Sequence, residues 1–101
     1  LMPLPTHGVT VADTVKTETI DTPSTAVAVL NTSASELFVT VGSDTRTPQD
    51  PDVRSGTVNG YLVPAGARRL IENPSGNSAT NTVVKLISET AVVYELEIGA
   101  Q

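Results

Sequence analysis

The sequence predicts an all-β domain: an antiparallel β-sandwich, jelly-roll or immunoglobulin-like, of about seven to eight short strands with an extended N-terminal arm. Three observations carry this. Threonine and valine recur in short alternating runs, clearest in Thr25-Ala-Val-Ala-Val-Leu-Asn31, Glu36-Leu-Phe-Val-Thr-Val41, Thr82-Val-Val-Lys-Leu-Ile87 and Ala91-Val-Val-Tyr-Glu-Leu-Glu-Ile98. Such residues are stiff at χ1 and fit a pleated surface better than a helix. Clusters of Asn, Pro, Ser and Gly punctuate the runs at short spacing. No window carries the ~3.6-residue apolar period of an amphipathic helix.

Residues 1–8, Leu-Met-Pro-Leu-Pro-Thr-His-Gly, read as the arm, and residues 9–101 as one domain. Two prolines hold the arm extended, and Leu1, Met2 and Leu4 give it apolar side chains suited to docking on a neighbour. Val9 to Ile20 reads as a polar β stretch bent near Asp13 or Thr14, followed by a turn at Asp21-Thr-Pro-Ser24. Thr25 to Asn31 is apolar on both faces, which places it centrally. After the Asn31-Thr-Ser-Ala-Ser35 turn, Leu37, Val39 and Val41 point one way and Phe38 and Thr40 the other. Residues 43–56 form the one long irregular segment. Pro48 and Pro51 bar it from a central strand, and loops of this length in small domains tend to be functional or disordered. A strand resumes from Thr57 to Val63, interrupted by Asn59-Gly60, and Pro64-Ala-Gly66 turns into Ala67 to Glu72. In that strand either Leu70 or Ile71 faces the core. Asn73-Pro-Ser-Gly-Asn-Ser78 is the strongest turn. Two last strands, Thr80 to Ser88 and Thr90 to Ile98, meet at Ser88-Glu89. In the final one Val92, Tyr94, Leu96 and Ile98 share one face, and Val93, Glu95 and Glu97 the other.

The chain of 101 residues holds one Phe, two Tyr and no Trp, so its core must be built from small aliphatic side chains. Burial against a partner would add to such a modest core. Six basic against eleven acidic residues, net charge −5, disfavour nucleic acid and anionic membranes as partners. Arg68-Arg69 is too small a cluster for a phosphate groove and reads as a solvated strand or turn. The absence of Cys excludes disulfides and thiolate metal sites. No apolar run reaches the length of a membrane-spanning helix.

Little in the chain can carry catalysis. His7 is the one histidine, and in an arm it lacks the fixed geometry a general base needs. Asp44, Asp50 and Asp52 share a loop and are the best candidates for a hard cation, but their spacing fits no EF-hand and the closing Glu is missing. Glu95 and Glu97 stand about 7 Å apart on one strand face, near glycosidase spacing, without the aromatic cleft such enzymes need. Gly56, Gly60 and Gly66 match no phosphate loop. A lectin-like face would need stacking aromatics, for which Tyr61 and an inward Tyr94 are the only candidates. The expectation is no catalytic residue, no cofactor and no metal site. Partner binding falls to Leu1, Met2 and Leu4 in the arm, and to Asp44, Arg46, Asp50, Asp52 and Arg54 in the long loop.

The succession Ala26-Val-Ala-Val-Leu-Asn-Thr-Ser33, Leu37-Phe-Val-Thr-Val-Gly42, Tyr61-Leu-Val-Pro-Ala-Gly66 and Val83-Val-Lys-Leu-Ile-Ser88 resembles small β-sandwich virion proteins of tailed bacteriophages. The resemblance spans residues 25–98. It lies in strand pattern and turn placement, with a final hairpin carrying the Leu-Ile-Ser run. It implies a capsid decoration, or cement, protein: non-enzymatic, a homotrimer, made in the host cytoplasm and bound to the major capsid protein on the outer capsid surface. Fibre and tail proteins of the same viruses use similar sandwiches, so the alternative is a receptor- or glycan-binding module of a fibre, tail or secreted adhesin.

Overall fold

A computed structural model describes residues 6–52, 60–76 and 80–98. Among them are strands β1 (Thr6–Val9), β2 (Lys16–Ile20), β3 (Ala26–Asn31), β4 (Leu37–Gly42), β5 (Tyr61–Val63), β6 (Arg68–Glu72), β7 (Thr82–Ile87) and β8 (Val93–Ile98), with no helix. They form two antiparallel four-stranded sheets. Sheet A runs β1-β8-β3-β6 and sheet B β2-β7-β4-β5. β3 is an interior strand, as its two apolar faces predict.

The sheets face each other across an aliphatic core. Val27 and Val29 of β3, Ile71 of β6 and Tyr94 and Leu96 of β8 meet Leu37, Val39 and Val41 of β4, Val63 of β5 and Val84 and Leu86 of β7. Each fully buried Val or Leu contributes roughly 1.5–3 kcal/mol. Of the two phases open to β6, the structure takes Ile71 inward and leaves Leu70 in solvent. β8 alternates as its sequence predicts.

Three features differ from the sequence reading. Thr6, His7 and Gly8 belong to β1 rather than to an arm, paired with Leu96, Glu95 and Tyr94. Leu1, Met2 and Leu4 lie outside the described residues. The stretch from Val9 to Ile20 is split by a turn in which Asp13 has φ 56° and Thr14 N–H donates to Val11 C=O, sending β1 and β2 into different sheets. Finally, β7 and β8 are not a hairpin: they lie in opposite sheets, joined by an arch through Ser88. Among consecutive strands only β4 and β5 pair directly.

Every other connection crosses between the sheets, and every crossing but β5–β6 carries a buried polar side chain; Asn31 serves that one by donating to Val63 C=O. Thr10 N–H donates to Val92 C=O, while Thr10 Oγ1 accepts from Val92 N–H and bonds Ser88 Oγ, tying the β1–β2 corner to the β7–β8 arch. Ser24 bonds Thr82 at 3.0 Å, and Thr82 donates to Thr22 C=O at 2.7 Å. Asn31, fully buried, donates to the carbonyls of Ser35 and Val63 and accepts from Ser33 N–H. Asn73 does the same for Ser24 C=O and Ser75 N–H. Among the described residues no buried side-chain nitrogen or oxygen lacks a partner. An unpaired buried polar group costs roughly 1–3 kcal/mol, so these hydroxyls and amides are what permit the chain to turn inside the rim of the core.

Tyr94 spans the sandwich. Its ring is fully buried on β8, and its hydroxyl donates to Glu18 Oε2 of β2 at 2.6 Å. Gly8 leaves the space this requires: a Cβ there would run into the Tyr94 hydroxyl and Cζ, and would stand 2.9 Å from Glu18 Oε2. Burial, and then the Glu18 carboxylate, push the Tyr94 phenol above its ordinary value. The unfolded chain therefore loses this proton at lower pH than the native one, and stability falls above pH ~10.

Two variants test this link. Urea unfolding of Tyr94→Phe shows a loss of about 1.5–3 kcal/mol near neutrality. Its stability also declines less steeply above pH ~10 than the parent's, by up to about 1.4 kcal/mol per pH unit. Gly8→Ala loses about 1–3 kcal/mol from overpacking, read as a lower midpoint in the same titration.

Candidate functional site

The long loop is built from its first residues. Gly42 ends β4 where a Cβ would collide with Arg46 C=O and Pro48 Cδ, so only glycine admits the loop's return. Ser43, fully buried, anchors it. Its N–H donates to Arg46 C=O at 3.0 Å, and its hydroxyl accepts from the N–H groups of Thr45 and Arg46, both at 3.2 Å. The same hydroxyl donates to Ser75 at 2.8 Å, tying the loop to the turn after β6. Beyond this anchor the loop crosses the outer face of sheet B. Thr40 Oγ1 of β4 donates to Gln49 C=O, and Lys85 Nζ of β7 pairs with Asp50 at 2.9 Å. Pro48 and Pro51 are buried, as are Phe38 and Ile87, paired side by side on that face.

Between this loop and the edge of the sandwich lies an open cleft of about 580 Å³. Arg46, Thr47, Pro48 and Gln49 form one wall, Tyr61 and Gly60 the floor at β5, and Glu72, Asn73 and Pro74 the far side. Tyr61 is exposed, and Arg69 of the opposite sheet holds it. The guanidinium carbon sits 5.0 Å from the ring centroid, and Nη1 donates to Leu62 C=O at 2.9 Å. The Arg68-Arg69 pair is thus divided: Arg68 lies on the outer face of sheet A, and Arg69 clamps the open side of the sandwich.

Of the loop residues predicted to bind, Arg46 lines the cleft. Asp50 is occupied by Lys85. Asp44 accepts from Thr80 Oγ1 at 3.2 Å, its N–H donating to Asn81 Oδ1 at 2.9 Å. Asp52 is half-buried. Arg54 lies outside the described residues, with Leu1, Met2 and Leu4. Among the described residues no three His, Asp or Glu side chains gather to hold a metal. Glu95 and Glu97 stand on the outer face of sheet A, where Glu95 lies 3.7 Å from His7 Nδ1. Sequence reasoning missed Gln49, Glu72 and Arg69. Gln49 lies far in the chain from Arg69 and Glu72, both on β6, and the tie from Ser43 to Ser75 sets its loop against the end of that strand.

A second surface is the outer face of sheet A. Val9 and Val93 pair across β1 and β8, 49% and 51% exposed, and Leu70 on β6 is 58% exposed. Half-buried Leu30 of β3 lies between them, with His7, Glu95, Glu97, Arg68 and Glu72 around. Sheet B is crossed by the long loop, whereas these apolar side chains on sheet A stand in solvent.

Ser43→Ala is expected to lose about 1–3 kcal/mol in urea and to speed proteolysis within residues 44–59, because loop N–H groups lose their acceptor. Asp50→Asn changes stability by at most about 1 kcal/mol, and less at high salt, as befits a pair with one solvated partner.

No family model, no curated protein and no solved structure matches the chain.

Proposed function

We propose that this chain is a non-enzymatic virion structural protein: a capsid decoration protein that binds the assembled head of a tailed bacteriophage, as a trimer, and stabilises it. The observation that carries the reading is the outer face of sheet A, where Val9, Val93 and Leu70 offer apolar area ringed by charges of both signs. β1 is the edge strand of that sheet, and the apolar Leu1, Met2 and Leu4 precede it in the sequence. An exposed apolar patch with a polar rim is the ordinary anatomy of a protein-docking surface. The mechanism is mass action: a protein that binds only the assembled shell lowers its free energy relative to free subunits. Net negative charge suits an outer surface kept soluble and away from nucleic acid. A second reading, a receptor- or glycan-binding module, is favoured by one observation: Tyr61 and residues 46–49 share a cleft.

Co-sedimentation with assembled heads and with free major capsid protein of the same virus tests the first reading. Val93→Asp and Leu70→Asp each weaken head binding by about tenfold or more, with the fold intact. Removing residues 1–5, which spares β1, weakens it as well. Undiminished occupancy for all three variants would contradict the reading.

A further inference from the structure

We propose that the cleft between residues 46–49 and strands β5 and β6 is a saccharide site for a neutral sugar unit, with Tyr61 as its stacking platform. The inference deepens the second reading above and is independent of head binding. Its first support is the ring. Tyr61 lines the cleft, whereas Arg69, which packs over the ring, is not one of the cleft's walls. An aromatic ring fixed from one side offers a rigid, preorganised platform at little entropic cost.

The second support is the polar rim. Arg46, Thr47, Gln49 and Glu72 line the cleft, and their side chains make no hydrogen bond or ion pair among the described residues. Elsewhere the polar side chains at the corners are consumed by the fold; these four remain available as donors and acceptors. Arg46 and Glu72 carry opposite charges, so the site has no net preference for an ion. A sugar ring presents hydroxyls that both donate and accept around an apolar C–H face, and this set of groups answers both. The volume, about 580 Å³, is in the range of small-ligand sites.

Other ligand chemistries fit less well. A phosphate would meet one arginine opposed by Glu72, in a protein of net charge −5. A lipid tail would meet an open wall that is as polar as it is apolar. An extended peptide would need a strand edge to pair with, and β5 offers three residues before Pro64 while Pro48 opposite has no N–H to give.

The test is a ¹H–¹⁵N titration of the full chain with maltose, cellobiose, lactose and diacetylchitobiose in turn, and separately with the peptide Leu-Met-Pro-Leu-Pro-Thr. The expected result is saturable shifts from at least one disaccharide, confined to amides of residues 46–49, 60–61 and 72–73, with Kd of about 1 mM. Tyr61→Ala weakens that binding by about tenfold or more, Tyr61→Phe retains it, and Gln49→Ala, which leaves the platform untouched, weakens it less. Shifts outside the cleft, or binding unchanged in Tyr61→Ala, would overturn the inference. Shifts from the peptide alone would overturn the saccharide and keep a binding module. Silence from every probe would overturn both.

Discussion

The chain crosses from one sheet to the other at every connection except β4–β5, and this constraint shapes the rest of the molecule. A hairpin lets the ladder satisfy the backbone right up to the turn. A crossing breaks the ladder at the rim of the core, where N–H and C=O groups are shielded from water and still need partners. Here the partners are Thr10, Ser24, Asn31, Asn73, Thr82 and Ser88, all buried and all bonded. The aliphatic core supplies non-directional burial; these corners supply register and hold the sheets to each other. Tyr94 adds a link through the middle, from β8 to Glu18, in the room left by Gly8.

The same construction explains where the two proposed binding surfaces arise. Ser43 joins the long loop to the turn after β6, so the loop is set against the β5–β6 end of the sandwich and walls a cleft there. It also crosses sheet B through Gln49 and Asp50, and leaves the apolar row of sheet A open. One sheet is thus dressed by its own chain, and the other leaves Val9, Val93 and Leu70 in solvent. Glu72 borders both proposed sites, but Val93 and Leu70 are not in the cleft and Tyr61 is not part of the sheet A patch, so the two proposed activities can be separated by mutation.

The strands were legible in the sequence where alternation and burial coincide. β3, β4 and β8 show this best, down to the inward Tyr94 and the outward Glu95 and Glu97. Pairing was not legible, because turn residues mark that the chain reverses but not which sheet it enters. Thr6 to Gly8 looked like an arm because two prolines precede them and a glycine weakens the strand signal; the pairing with β8 and the need for space beside Tyr94 override that local preference. Threonine and serine read only as strand formers and hydroxyls without a base. Their work at the corners depends on contacts such as Thr10 with Ser88 that no local pattern announces. The loop could be marked only as a candidate, and the cleft's far wall at Glu72 and the Arg69 clamp arise from tertiary stacking alone.

The claim that corner hydrogen bonds hold the sheets is tested most directly by a double-mutant cycle on Thr10→Val and Ser88→Ala, read by urea unfolding. Each single change strands a buried partner and is expected to lose about 1–3 kcal/mol. The double variant should lose less than the sum of the two, with a coupling of about 1 kcal/mol or more. Strictly additive losses, or single losses within about 0.5 kcal/mol of zero, would contradict the account.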